Sequence, residues 1–297
     1  MSASDMSAVE AALLPTPIEA PGTTAKPPRS RKARWPYTLA LLVITVVVLI
    51  PVIVTVVLSF QPQLSSTSHS LFTLENFSYI FAHTQVLTWL RNSLIATAAT
   101  VVVAVIIAAP AGYVLSRSRS RAVSGYALIL FIAQSFPQIV SIVPLFVLFA
   151  HFNLNDNLFG LAIVYVSITI SVATWMMAAY IDTIPVALEE AAWIDGCSLF
   201  GGFVKIVLRN SLPGILSTAI FAFLLAWSDF LIAVVFLRSS GNYTLPIGLQ
   251  TFFSENNTEW GYVMAVSVVV LVPPVIVFGF LNRFFSIGGI GGALAGH

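Results

Sequence analysis

Pro185-Val186-Ala187-Leu188-Glu189-Glu190-Ala191-Ala192-Trp193-Ile194-Asp195-Gly196-Cys197 is an amphipathic, loop-bearing passage between two strongly apolar stretches. Pro185 suits the first turn of a short helix, where a missing N–H costs nothing. Gly196 can take the positive φ that ends a helix sharply, and Asp195 before it can bond back to the turn. Beyond the turn, Phe200, Phe203, Ile206 and Val207 predict a second apolar face before Pro213. Outward from this passage the chain is almost wholly lipid-compatible. Of its 297 residues, 58% are hydrophobic and only 8% charged, against roughly a quarter charged in soluble domains. An ordinary water-soluble core is excluded.

A membrane-crossing helix needs about 20 mostly apolar residues. Six stretches qualify: Tyr37–Phe60, Trp89–Leu115, Gly125–Ala150, Leu158–Ile181, Leu212–Leu237 and Tyr262–Phe285. None alternates with the period of two expected of a barrel strand, so the fold class is an all-α membrane protein with six transmembrane helices. The first span is too long for a signal-peptide core and follows 34 polar or small residues. That tail, residues 1–34, is rich in Pro, Ser, Thr and Ala without apolar periodicity, which predicts disorder. A transmembrane domain over 35–285, interrupted by the loop 182–211, and a glycine-rich tail at 286–297 complete the organisation.

Positive charge sets the orientation, because cytoplasmic loops hold an excess of Lys and Arg. Lys26, Arg29, Arg31, Lys32 and Arg34 precede span 1; Arg117, Arg119 and Arg121 follow span 2; Lys205 and Arg209 sit between spans 4 and 5; and Arg283 closes span 6. Only Arg91 and Arg238 fall on the other side. Both termini and the Glu-Ala-Ala loop are therefore expected in the cytoplasm. The outer loops are 61–88, 151–157 and 238–261.

With the topology in place, the wording of the loop resembles one family. Glu190-Ala191-Ala192, then Asp195-Gly196, then Ile206-Val207-Leu208 is similar to the loop by which membrane subunits of bacterial ATP-driven (ABC) importers meet their ATPases. From Phe72 onward the chain resembles the second six-helix permease subunit of carbohydrate importers of the maltose-transporter type. Thr73-Leu74-Glu75-Asn76-Phe77, Asn92-Ser93-Leu94, Phe136-Pro137 with Pro144, Ala226-Trp227-Ser228-Asp229-Phe230 and Leu245-Pro246-Ile247-Gly248-Leu249 match family phrases in order. Arg209 stands where the family usually has Pro, Cys197 where it has Ala, and Ser228 where it has Asn. The glycine-rich C-terminal tail lacks the family's basic residues.

The resemblance implies the architecture of a type I ABC importer permease in the bacterial cytoplasmic membrane. Implied partners are a second permease in a heterodimer, two ATPase subunits, an extracytoplasmic substrate-binding protein and membrane lipid, with no nucleic acid. Glu189, Glu190, Ala191, Ala192, Asp195 and Gly196 are the expected ATPase-coupling residues. The acids offer charge to a basic partner surface, and the alanines permit close approach. The competing reading is a helix lying on lipid headgroups, although such a helix prefers Lys and Arg to acids.

Two groups are candidates for a substrate path. Trp227, Ser228 and Asp229 in span 5 join a ring to a hydrogen-bond acceptor, the combination sugars favour. A carboxylate in a span should face protein or a water-filled path; helix packing is the equal alternative. Gln134, Gln138 and Ser141 flank Pro137 in span 3 at helical spacings of four and three. They predict one polar face, either lining the path or joining helices. Pro273-Pro274 marks a kink in span 6, and Tyr165, Thr169 and Trp175 in span 4 are too dispersed to assign.

Nothing in the sequence points to catalysis. There is no phosphate-binding Gly-rich loop with Lys-Ser/Thr, so this chain is expected to bind no cofactor, with ATP and Mg held by the partner ATPases. No catalytic triad or paired catalytic carboxylates appear, the four histidines are scattered, and the one cysteine, Cys197, leaves no metal-ligand spacing. The leading function is a permease for a sugar or oligosaccharide. The alternatives are a permease for a non-sugar solute such as a glycerol phosphate derivative, and a stand-alone secondary transporter. The absence of an obvious internal repeat counts against the latter.

Overall fold

A computed structural model describes residues 35–62, 72–253 and 258–288, and among these the chain is entirely helical and loop. The tail expected at 1–34 lies outside the described residues, as does the tail expected at 286–297 apart from residues 286–288, which are helical and extend the last span instead. The chain divides into two compact units, one ending at Ile50 and one beginning at Pro51. The first holds the start of α1 (Trp35–Ser59), which is exposed on every face as far as Ile50.

The second unit contains α2 (Glu75–His83), α3 (Val86–Arg117), α4 (Arg121–Ser135), α5 (Gln138–His151) and α6 (Leu158–Ile181). The short Glu-Ala-Ala helix α7 (Ala187–Ile194) and α8 (Leu199–Asn210) follow, then α9 (Leu212–Ser228), α10 (Leu231–Phe236), α11 (Leu245–Gln250) and α12 (Trp260–Gly288). Four helices (α1, α3, α6 and α12) are long and apolar enough to cross a membrane. The count reaches six when the bent pairs α4/α5 and α8/α9 are each taken as one span.

The core is α3 against α6 and α9. Without a hydrophobic drive between helices in lipid, close approach depends on small residues, and the α3 face supplies them. Ala96, Thr100, Ala104, Ala108 and Gly112 are all buried, recurring every four positions, with Thr97 beside the first. A Cβ on Gly112 would lie 2.7 Å from the Cβ of Met177 on α6, so only glycine permits this crossing. Two buried threonines satisfy their hydroxyls within their own helices: Thr100 donates to the Ala96 carbonyl at 2.8 Å and Thr169 to that of Tyr165 at 2.6 Å.

Two expected spans differ from expectation. Span 3 is not one helix over 125–150. It stops at Ser135 and resumes at Gln138, and the two halves meet at 99°. Proline lacks an N–H and biases its predecessor towards extended backbone, and Phe136 and Pro137 both adopt that conformation. Pro137 is a break rather than a kink. Span 5 also breaks, at Asp229-Phe230, with no proline or glycine to cause it.

At the N-terminal end of α3 the loops are pinned by buried polar groups. The Asn92 amide donates to the Gly241 and Tyr243 carbonyls at 2.8 and 3.0 Å, and the Trp89 indole to that of Ser240 at 2.8 Å. Ser93 Oγ accepts the Leu245 N–H at 2.7 Å. A Cβ on Gly248 would fall 2.0 Å from the Trp89 ring, so this glycine is what lets α11 seat there. Asp156 completes the pinning. Its carboxylate accepts the Arg238 and Ser239 N–H groups at 2.9 and 3.0 Å and the Ser239 hydroxyl. Burial alone would raise its pKa, but these bonds outweigh burial and hold it at about 2.

Candidate functional site

At the other end of α3 the Glu-Ala-Ala passage folds much as its residues dictate. The Pro185 carbonyl accepts the Leu188 N–H at 3.2 Å, and the helix proper begins at Ala187. It ends in a Schellman turn: the Cys197 N–H reaches the Ala192 carbonyl at 2.9 Å, and the Gly196 N–H that of Trp193 at 3.0 Å. Gly196 has φ +86°, the left-handed conformation expected of it. The chain then reverses into α8, where Gly202 leaves room for the Trp193 indole. A π-helical turn at Phe203–Val207 buries Phe203 and Val207 and leaves Phe200 exposed, so the second apolar face is split rather than continuous.

The two glutamates part company. Glu190 is exposed, with Ala191 and Asp195. Glu189, expected to offer its charge to a partner, is instead 1% exposed and turned inward. Its Oε1 accepts Arg117 Nε at 2.8 Å and its Oε2 accepts the Tyr113 hydroxyl at 2.8 Å. The same guanidinium donates to the Ile184 carbonyl at 2.8 Å, and Ser116 donates to Asp182 at 2.5 Å. Ala192 is buried as well. The free face of α7 and α8 is therefore Ala187, Leu188, Glu190, Ala191 and Ile194, continued by Leu199 and Phe200. Ile194 is 86% exposed and Phe200 75%. Arg117, Tyr113 and Asp182 were missed as site residues because Arg117 reads in the sequence only as one of the charges that orient the chain.

The proposed path residues are scattered by the two breaks. Gln134 lies on α4 and Gln138 and Ser141 on α5, so the single polar face expected of them does not exist. The two glutamines are exposed and Ser141 is partly so. Trp227 is buried, stacks on Phe223 with ring centres 5.7 Å apart and donates its indole N–H to the Val270 carbonyl at 3.1 Å. Ser228 is exposed and bonds back to the Leu224 carbonyl at 2.6 Å. Trp227 and Ser228 line a hollow of ≈ 500 Å³ that is mostly apolar, with Phe230, Leu249, Val270 and Pro274, and Ser267 as its other hydroxyl.

Asp229 turns away from that hollow. It accepts the Tyr165 hydroxyl at 2.9 Å and the Ala233 N–H at 3.0 Å, with the Ile232 N–H at 3.4 Å. The carboxylate thus satisfies the first N–H groups of α10 after the helix breaks, as a break within a membrane span requires. Tyr165, unassigned in the sequence, is fully buried at this joint. Of the two open readings of Asp229, this geometry favours packing.

Comparison with known proteins agrees with the fold. Residues 101–286 match the family described as binding-protein-dependent transport system inner membrane component, and the chain belongs to that family. It is 34% identical over 208 residues to the inner membrane ABC transporter permease protein YcjP of Escherichia coli, covering 70% of this chain and 74% of that one. It is 30% identical over 271 residues to the arabinooligosaccharides transport system permease protein AraQ of Halalkalibacterium halodurans, covering 87% and 96%. A crystal structure of a bacterial ABC transporter involved in alginate import shares the fold, with TM-score 0.74, 20% identity, and 88% of this chain and all of that one covered. The chain is thus a membrane-embedded transport permease subunit.

Proposed function

We propose that this chain pairs with a second permease to form the path for a sugar or oligosaccharide, and docks onto ATPase subunits through the exposed face of α7 and α8. The observation that carries the docking role is that face itself. A short helix, stopped by Gly196 and anchored from below by Glu189, presents Glu190 and Ala191 between Ile194, Leu199 and Phe200, apolar side chains that water would not retain. Small residues flanked by exposed apolar ones suit a partner protein's cleft. The arabinooligosaccharide relative supports a carbohydrate as substrate. The chain carries no catalysis of its own; ATP and Mg belong to the ATPases, and an extracytoplasmic binding protein delivers the solute. Both termini and α7 face the cytoplasm.

Transport then follows from a two-state membrane unit whose balance nucleotide shifts through α7. Asp229 holds the α9–α10 joint, while Gln134, Gln138, Ser141, Trp227 and Ser228 remain the path candidates. The test is co-expression with the partner subunits and uptake of labelled oligosaccharides into membrane vesicles. Glu190→Lys and Gly196→Val should insert normally and lose ATPase from the purified complex. Sugar uptake at wild-type rate by both variants would show that this face has another role.

A further inference from the structure

The Glu-Ala-Ala helix is tied to the membrane helices in two different ways. It continues covalently from α6 through residues 182–186 and into α9 through α8. To α3, the longest helix of the core, it is tied by side chains alone. These converge on one spot: Tyr113, Ser116 and Arg117, from the last turns of α3, reach Glu189, Asp182 and the Ile184 carbonyl. The Tyr113 ring also rests against Phe203, with centres 4.8 Å apart.

The chemistry of this spot is unusual for a packing contact. Apolar residues could fill the same volume at little or no cost in stability, because desolvating two charges offsets most of their attraction. What an ion pair adds is that it tolerates one arrangement. Apolar surfaces can slide past each other by a turn, but Glu189, 1% exposed, would become an unpaired buried charge if α7 slipped against α3. Arg117 strengthens the constraint because its planar fork reaches two points at once, the Glu189 carboxylate within α7 and the Ile184 carbonyl ahead of it. A lysine is a single point charge and cannot span both.

We propose that the Arg117–Glu189 pair is the joint that makes α3 travel with the Glu-Ala-Ala helix, so that Arg117 is a positioning residue for energy coupling rather than a contact of the ATPase. The inference rests on the docking role proposed above. Motion of α7 reaches α6 and α9 through the backbone and α3 through its packing on those helices, while the direct link from α7 to the end of α3, the helix whose other end holds the loop at 237–245 through Trp89 and Asn92, is this pair with the Tyr113 hydroxyl beside it. Losing it leaves a permease that binds its ATPase and in which the end of α3 no longer keeps its register with α7.

The test uses the assembled transporter in lipid vesicles, with ATP, Mg and vanadate as the probe. Spin labels are placed on Cys197, at the end of the α7 turn, and on Arg119→Cys, just past α3. In the otherwise unaltered chain the distance between them should stay single and narrow with and without the probe. In Glu189→Gln and Arg117→Met the ATPase should still co-purify, while the probe adds a second, longer distance. The exchanged pair Arg117→Glu with Glu189→Arg, which keeps the charges matched if a single variant folds poorly, should return the distance towards one population. A purely structural role would change thermal stability without this nucleotide dependence. Narrow, probe-independent distances in both single variants with ATPase bound would overturn the joint. Loss of ATPase from the unaltered chain would instead remove the docking reading, and the joint with it.

Discussion

Asp229 and Asp156 show how one residue type holds two different junctions. Asp229 satisfies a tyrosine and two backbone N–H groups where a span breaks. Asp229→Leu leaves those donors unpaired, and the expected loss is about 1–3 kcal/mol. Asp229→Asn keeps an acceptor and should lose less. Adding Tyr165→Phe to Asp229→Leu removes one orphan and should recover part of the loss, read as the melting temperature of the detergent-solubilised protein. A full additive loss in the double variant would mean the two side chains do not interact. Asp156 gives a pH effect of defined sign. Its folded pKa, about 2, lies below the ordinary carboxylate value, so its stabilisation is present above about pH 4 and disappears as pH falls towards 2. Amide exchange at Arg238 and Ser239 should therefore quicken over that interval, after correction for intrinsic rates, and Asp156→Asn should abolish the change.

At the scale of the element, α7 is a helix whose two faces have opposite duties, and adjacent glutamates separate them. Glu189→Lys sets a cation against Arg117, and breaking a buried pair in this way costs about 3–5 kcal/mol. Glu190→Lys lies on the exposed face and should change the stability of the chain by no more than about 0.5 kcal/mol. Heating the solubilised variants and following the monodisperse peak by size exclusion separates the two; equal loss in both would contradict the burial difference. The same element shows what local sequence can supply. Its position and its glycine stop follow from backbone chemistry confined to a dozen positions. Which glutamate turns inward does not, because Glu189 meets a partner 72 residues earlier in the chain.

For the whole molecule, the charge distribution yields a direct expectation about sidedness. With Cys197 replaced by Ala, a membrane-impermeant thiol reagent should reach Ser4→Cys and Arg119→Cys only after permeabilisation. It should reach Asn153→Cys in intact cells. Labelling of the first two without permeabilisation would reverse the topology. The sequence alone determined the apolar spans, the loop between the fourth and fifth of them, the glycine turn and the family, since each rests on hydropathy, backbone conformation or wording within a short window. Only the tertiary structure decided that span 3 is split at Pro137 so that Gln134 and Gln138 part. It alone showed that Asp229 ends a helix against Tyr165, 64 residues away, and that Arg117 belongs to Glu189. The physical reason is common to all three. A buried polar group in an apolar bundle must find a partner, and which partner it finds depends on how the helices cross, which no local stretch of sequence encodes.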